Sequence, residues 1–181
     1  MSVITGLTIL SLVAYGLVFL LLAGLLVTRF RGWEPKWTDF RIAAGPYALA
    51  LAWLVAAVCM FGSLYLSEVA HLTPCRLCWY QRIAMYPLVV LLGIAVVRAD
   101  ILVARRYFAP LAILGGLISL YHYQLERFPN QPTLSCGLET PCSIPVVNLW
   151  GFASVPFMAL AGFLLIATLL LVATPNNESY Y

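Results

Sequence analysis

The chain has 181 residues, of which 63% are hydrophobic and 9% charged, with a formal net charge of +3. A soluble domain carries roughly 25% charged residues, so this composition excludes a water-exposed globule and points to one compact membrane domain. There is no run of basic residues, which argues against nucleic-acid binding.

Five segments lack acidic and basic side chains: Val3–Thr28, Ile42–Ser67, Ile83–Val97, Tyr107–Leu125 and Leu149–Thr174. A membrane-spanning helix needs about 20 apolar residues. The third segment reaches that length if its helix starts near Pro74, with Trp79, Tyr80 and Tyr86 suited to the interface. The expected fold is therefore all-α and integral to the membrane, with five spans. The first segment has no basic residue before it and is too long for a signal-peptide core, so it reads as a retained anchor.

Lys and Arg are retained on the cytoplasmic side. The link expected over residues 29–41 holds Arg29, Arg31, Lys36 and Arg41, and the link before the fourth span holds Arg98, Arg105 and Arg106. The opposite face has only Arg76, Arg82 and Arg127. The expected topology has the N-terminus outside and the tail, 175–181, in the cytoplasm. Cys75 and Cys78 then lie outside, between the second and third spans. Cys136 and Cys142 lie outside too, within a loop expected over 126–148. Disulfides persist in that compartment. Cys59 falls inside the second span and reads as a small apolar packing residue.

In TPCRLCWYQR, Thr73 is a candidate N-cap and Pro74 suits the first helical position. Cys75 would then sit in the first turn, where free N–H groups favour an anion; the thiolate is the reactive form of cysteine. Cys75, Cys78 and Arg82 are spaced to share one helical face, which makes Arg82 a candidate to stabilise a Cys78 thiolate. A staple closing so short a ring contributes only about 1.9 kcal/mol, so the spacing favours redox chemistry over a structural role. Four cysteines could also bind zinc, but the pairs lie in separate loops without a small soluble knuckle; no metal site is expected. The second pair lies in SCGLETPCSIP, a loop by its Pro and Gly content. His122, near the outer end of the fourth span, is either a group that takes a proton or part of an interfacial aromatic band. Glu68, Glu126 and Glu139 read as solvated loop charges. Gly115 and Gly116 are expected to allow close helix approach, and Pro87 and Pro156 to kink their helices.

Four motifs in order carry a resemblance: TPCRLCWYQR with IAMYPL, then YHYQLERFP, CGLETPC and NLWGFASVPFMAL. From about Ala44 to about Leu171 the chain resembles the DsbB family of membrane disulfide-generating proteins, and its BdbC-like branch most closely. The resemblance implies a four-helix bundle over 42–174, with helices at about 42–67, 74–97, 107–125 and 149–174. It also implies a bound quinone (menaquinone or ubiquinone) and a soluble DsbA-like thioredoxin-fold partner outside the cell. The helix over 1–28 lies outside this core.

By the same resemblance, Cys75, Cys78, Cys136 and Cys142 are catalytic, and Arg82, His122 and Cys78 face the quinone. The partner meets Cys136, Cys142 attacks Cys75, and Cys78 is left as a thiolate beside the quinone. Three rivals remain open. In an enzyme of the vitamin K epoxide reductase type, the loop pair precedes the C-x-x-C pair, the reverse of the order here. A conduit of reducing power would need reactive groups across the membrane. A scaffold would use both pairs as staples.

Overall fold

The computed structural model describes residues 2–31, 34–131, 136 and 142–173, of which 2, 28–31, 34–44 and 46 by backbone alone. Five helices among the described residues are long and apolar enough to cross a membrane. We label them α1 (Ser2–Arg31), α2 (Glu34–Leu64, continued by a π-helical turn, Tyr65–Val69), α3 (Arg76–Arg98), α4 (the span Ile101–Arg127, with a π-helical turn at Ala104–Phe108) and α5 (Val155–Val172). The only extended pairing among the described residues is an isolated bridge, Leu149 with Ala153. The expected all-α membrane architecture is therefore present.

Several boundaries differ from the sequence expectation. Arg29 and Arg31 continue α1, while Lys36 and Arg41 lie in α2, so residues expected to form a basic link are largely helical. Hydropathy marks where apolar character ends; the helical hydrogen-bond ladder continues beyond it. The last helix begins at Val155 instead of Leu149. Trp150 and Gly151 both have positive φ, 55° and 78°, which turns the chain back on itself as a tight turn requires. Arg127 Nη1 donates to the Gly151 carbonyl at 2.9 Å and Tyr123 Oη to the Phe152 carbonyl at 3.2 Å, tying this turn to the end of α4. Pro156 follows in the first turn of α5, where a missing N–H costs nothing. It opens the helix and does not kink it. Pro87 does lie inside α3. The tail 175–181 and Glu139 lie outside the described residues.

Helix α5 is the centre of the bundle: 67% of its spanning window is buried, against 17% for α1. Lipid tails are as apolar as leucine, so helices associate in a membrane through close packing, helped by small residues. Gly115 provides such a contact, because a Cβ there would fall on the ring of Phe163. Gly162 gives a second, since its Cβ would lie 2.5 Å from Cys59 Sγ. Cys59 thus packs against the core, as expected. Helix α1 docks mainly on α5 and barely touches α2. Tyr15 Oη donates to the Phe157 carbonyl at 3.0 Å, and the two rings lie 4.9 Å apart.

Candidate active site

The site is built at the start of α3. Cys75 is the N-cap residue, with extended backbone (φ −74°, ψ 173°), and its Sγ accepts from the Cys78 N–H at 3.4 Å. The helix thus starts two residues later than Thr73 and Pro74 suggest. The cysteine occupies the capping position, where a side-chain acceptor satisfies one of the free N–H groups. Cys78 follows one turn on. The two sulfurs are 2.9 Å apart and both are free thiols.

Cys75 is 7% exposed and His122, from α4, only 3%. His122 Nε2 lies 3.6 Å from Cys75 Sγ. Its other ring nitrogen, Nδ1, lies 3.2 Å from the side-chain nitrogen of Gln81, itself buried. An amide N–H donating to Nδ1 leaves the imidazole proton on Nε2, directed at the sulfur. Cys75 is consequently held well below the ordinary thiol range: the Cys78 thiol donates to it, and His122 and the Cys78 backbone N–H add to this against the opposing effect of burial. His122 is therefore a buried partner of the first pair and not part of an interfacial band. Cys75, Cys78 and His122 bring their donor atoms within 4.8 Å of one another.

Cys136 and Cys142 form a disulfide with Cα atoms 5.8 Å apart. Cys142 is 2% exposed and packs with Cys75, Leu77 and Leu125, and Cys78, Cys136 and Ile118 border the same small cluster. Both cysteine pairs therefore meet at one end of the bundle.

Arg82 lies one turn beyond Cys78. Its Nη2 donates to the Ser63 carbonyl at 3.0 Å, and its guanidinium carbon sits 5.4 Å from the centre of the Trp79 ring. Cys75, Cys78, Gln81, Arg82 and His122 all line one cavity of about 300 Å³, which continues between apolar side chains of α1, α2 and α5. Glu126 lies in the last turn of α4, half-buried, and lines the cavity too. It is not the solvated loop charge that its neighbourhood of loop residues implies. Sequence reasoning passed over Gln81. The available signal was its place three residues after Cys78, on the same helical face.

Comparison with known proteins gives the family. Residues 46–173 match the family model "Disulfide bond formation protein DsbB". The chain is 46% identical over 119 residues to disulfide bond formation protein C of Bacillus subtilis, covering 65% of this chain and 86% of that one. It is 44% identical over 133 residues to probable disulfide formation protein C 1 of Bacillus cereus, covering 72% and 94%. A probable disulfide formation protein of Coxiella burnetii is 43% identical over 129 residues, covering 70% and 87%. No solved structure matches.

Fold and site together define a multi-pass membrane protein of the disulfide-forming oxidoreductase class. The chain belongs to the DsbB family of disulfide bond formation proteins.

Proposed function

We propose that the protein reoxidises a soluble extracytoplasmic thioredoxin-fold dithiol protein and passes two electrons, through its two cysteine pairs, to a membrane quinone. The observation that carries this reading is the shared cluster: both pairs pack together, and the first pair opens on an apolar cavity. Thiol–disulfide exchange needs a thiolate, a reachable sulfur and a good leaving thiol.

The partner's thiolate attacks Cys136 and Cys142 leaves. The partner's second thiol then displaces Cys136, so the partner departs oxidised and both cysteines are thiols. Cys142 next attacks an oxidised Cys75–Cys78 pair at Cys75, and Cys78 leaves. Cys136 closes on Cys142 and releases Cys75. The two electrons now reside on Cys75 and Cys78. His122 holds Cys75 as the thiolate that re-forms the bond to Cys78, and Gln81 orients His122.

The cavity suits a quinone: apolar walls for the tail, with Arg82, Gln81 and His122 near the sulfurs as the few polar groups such a site needs. A bound quinone would supply a two-electron, two-proton acceptor: closing the Cys75 thiolate on the Cys78 thiol gives two electrons and one proton, and the second proton, lost when Cys75 ionised, returns from water. Arg82 is the charge available at a ring oxygen. The arginine and lysine distribution supports an N-terminus and both cysteine pairs outside the cell membrane and a cytoplasmic C-terminus. Purified protein supplied with a reduced dithiol partner should convert added quinone to quinol, one for each partner disulfide formed. Absence of quinol while the partner is oxidised refutes the reading.

A further inference from the structure

Helix α1 lies outside the residues that match the family, which begin at 46. Its contacts nevertheless assign it a place in the site. One face docks on α5: Thr8 Oγ1 approaches Met158 Sδ at 3.6 Å, and Tyr15 bonds the Phe157 carbonyl. Thr8, Ser11, Ala14 and Val18 are buried there. The adjoining face, with Leu7, Leu10, Ala14 and Leu17, lines the cavity that contains Cys78 and Arg82. The spacing of those four residues is that of one helical face.

The opposite wall is α2, lined from Gly62 and Ser63 to Leu51. Eleven residues of helix rise about 16 Å, and Leu7 to Leu17 about 15 Å. The two helices approach closely at Gly62, where an added Cβ would lie 3.3 Å from Leu7 Cδ2. Elsewhere α1 and α2 have little contact. The result is a slot with sulfur, arginine and imidazole at one end and walls beyond that are largely apolar, with Ser11 a polar exception on α1.

We propose that α1 is the lipid-side wall of a binding slot for the isoprenoid tail of the quinone, with the tail lying between α1 and α2 and the ring at Cys78. The proposal rests on the quinone reading above and extends it to the tail. An ordinary acyl lipid fits less well, because its charged headgroup belongs in the interfacial water and makes no use of a redox dithiol. A molecule with a redox head and a long hydrocarbon tail satisfies both ends of the slot.

The test uses the full-length protein and two quinones with the same ring, one with an isoprenoid tail and one without. Binding is followed by quenching of tryptophan fluorescence. Leu10→Trp and Leu17→Trp should each weaken the tailed quinone about tenfold or more, the effect of displacing about two buried methylene groups, while leaving the tail-less quinone unchanged. Leu20→Trp, on an exposed position of α1 outside the cavity lining, should change neither. In parallel, a photoreactive group on the tail should label peptides within residues 7–17. Thermal melting of each variant identifies any loss of fold, and the labelling of unmodified protein tests the slot without substitution. Labelling confined to other helices, with both Trp variants binding the tailed quinone normally, overturns the proposal and leaves the quinone reading intact. Retention of a phospholipid in the slot that tailed quinone does not displace also overturns it. Failure of the unmodified protein to bind either quinone overturns both readings.

Discussion

The imidazole of His122 lies between Gln81 and Cys75: Nδ1 is 3.2 Å from the Gln81 amide nitrogen, and Nε2 is 3.6 Å from Cys75 Sγ. Residues from two helices thereby share one hydrogen-bonded line that ends on the Cys75 sulfur. Such a line fixes which ring nitrogen carries the proton. After the hydrogen bond from Cys78, it adds to what holds Cys75 as the thiolate, the form that performs disulfide exchange.

The first prediction concerns pH. The Cys75 thiol is lowered to about 4, with hydrogen bonds from Cys78 and His122 among the causes. A group lowered in this way stays ionised above its folded value and loses its charge only as pH falls through it. In reduced protein, the rate of Cys75 alkylation, resolved by peptide mass spectrometry, should be nearly flat between pH 5 and 8. In His122→Phe, which keeps the hydrogen bond from Cys78, the pH below which the rate falls should move upward. A wild-type rate that climbs tenfold per unit up to pH 8 would contradict this assignment.

Gln81 is buried, and its amide has a specific partner. Gln81→Leu strands His122 Nδ1 in an apolar setting, at a cost of about 1–3 kcal/mol. The variant should melt at lower temperature, and its alkylation profile should shift toward that of His122→Phe. Gln81→Glu, which replaces the amide donor with a carboxylate acceptor, should move the imidazole proton to Nδ1. Nitrogen NMR of labelled histidine reads that change directly. Unaltered imidazole signals in both variants would remove Gln81 from the site.

Close packing between α4 and α5 gives a stability prediction. A methyl group at Gly115 meets the Phe163 ring, whereas one at Gly116 meets Phe163 Cβ at an ordinary 3.5 Å. Overpacking of this kind costs about 1–3 kcal/mol. Gly115→Ala should therefore lower the midpoint of thermal unfolding in detergent, and Gly116→Ala should leave it nearly unchanged. Equal effects of the two substitutions would mean that the helices are not this close.

The contrast between these sites bears on what a sequence can reveal. Five spans and two cysteine pairs are legible, because hydropathy and the close spacing of cysteines are local signals. The Gln81–His122 contact joins residues 41 apart and leaves no local pattern. Glu126 reads as a loop charge from its neighbours, but α4 extends through Arg127 and carries it onto the cavity wall. NLWGFAS is apolar enough to continue a span, so hydropathy places the start of α5 too early. Positive φ at Trp150 and Gly151 decides the matter, and only the glycine announces it. The part played by α1 depends on helix packing, and its apolar residues look alike on every face.

Topology gives another prediction. If both pairs face outward, a membrane-impermeant thiol reagent added to intact cells after reduction should label Cys136. Labelling of Cys136 only when the reagent has access to the cytoplasm would reverse the orientation and move the partner to the other compartment.

The most direct measurement of the central claim follows reoxidation of the dithiol partner by membranes carrying Cys78→Ser. Cys136 and Cys142 can still react with the partner once in this variant, but the electrons then have no dithiol beside the cavity to receive them. The account predicts at most one partner disulfide per molecule of variant and no quinol. Continued multiple turnover with quinol formation at the wild-type rate would contradict it.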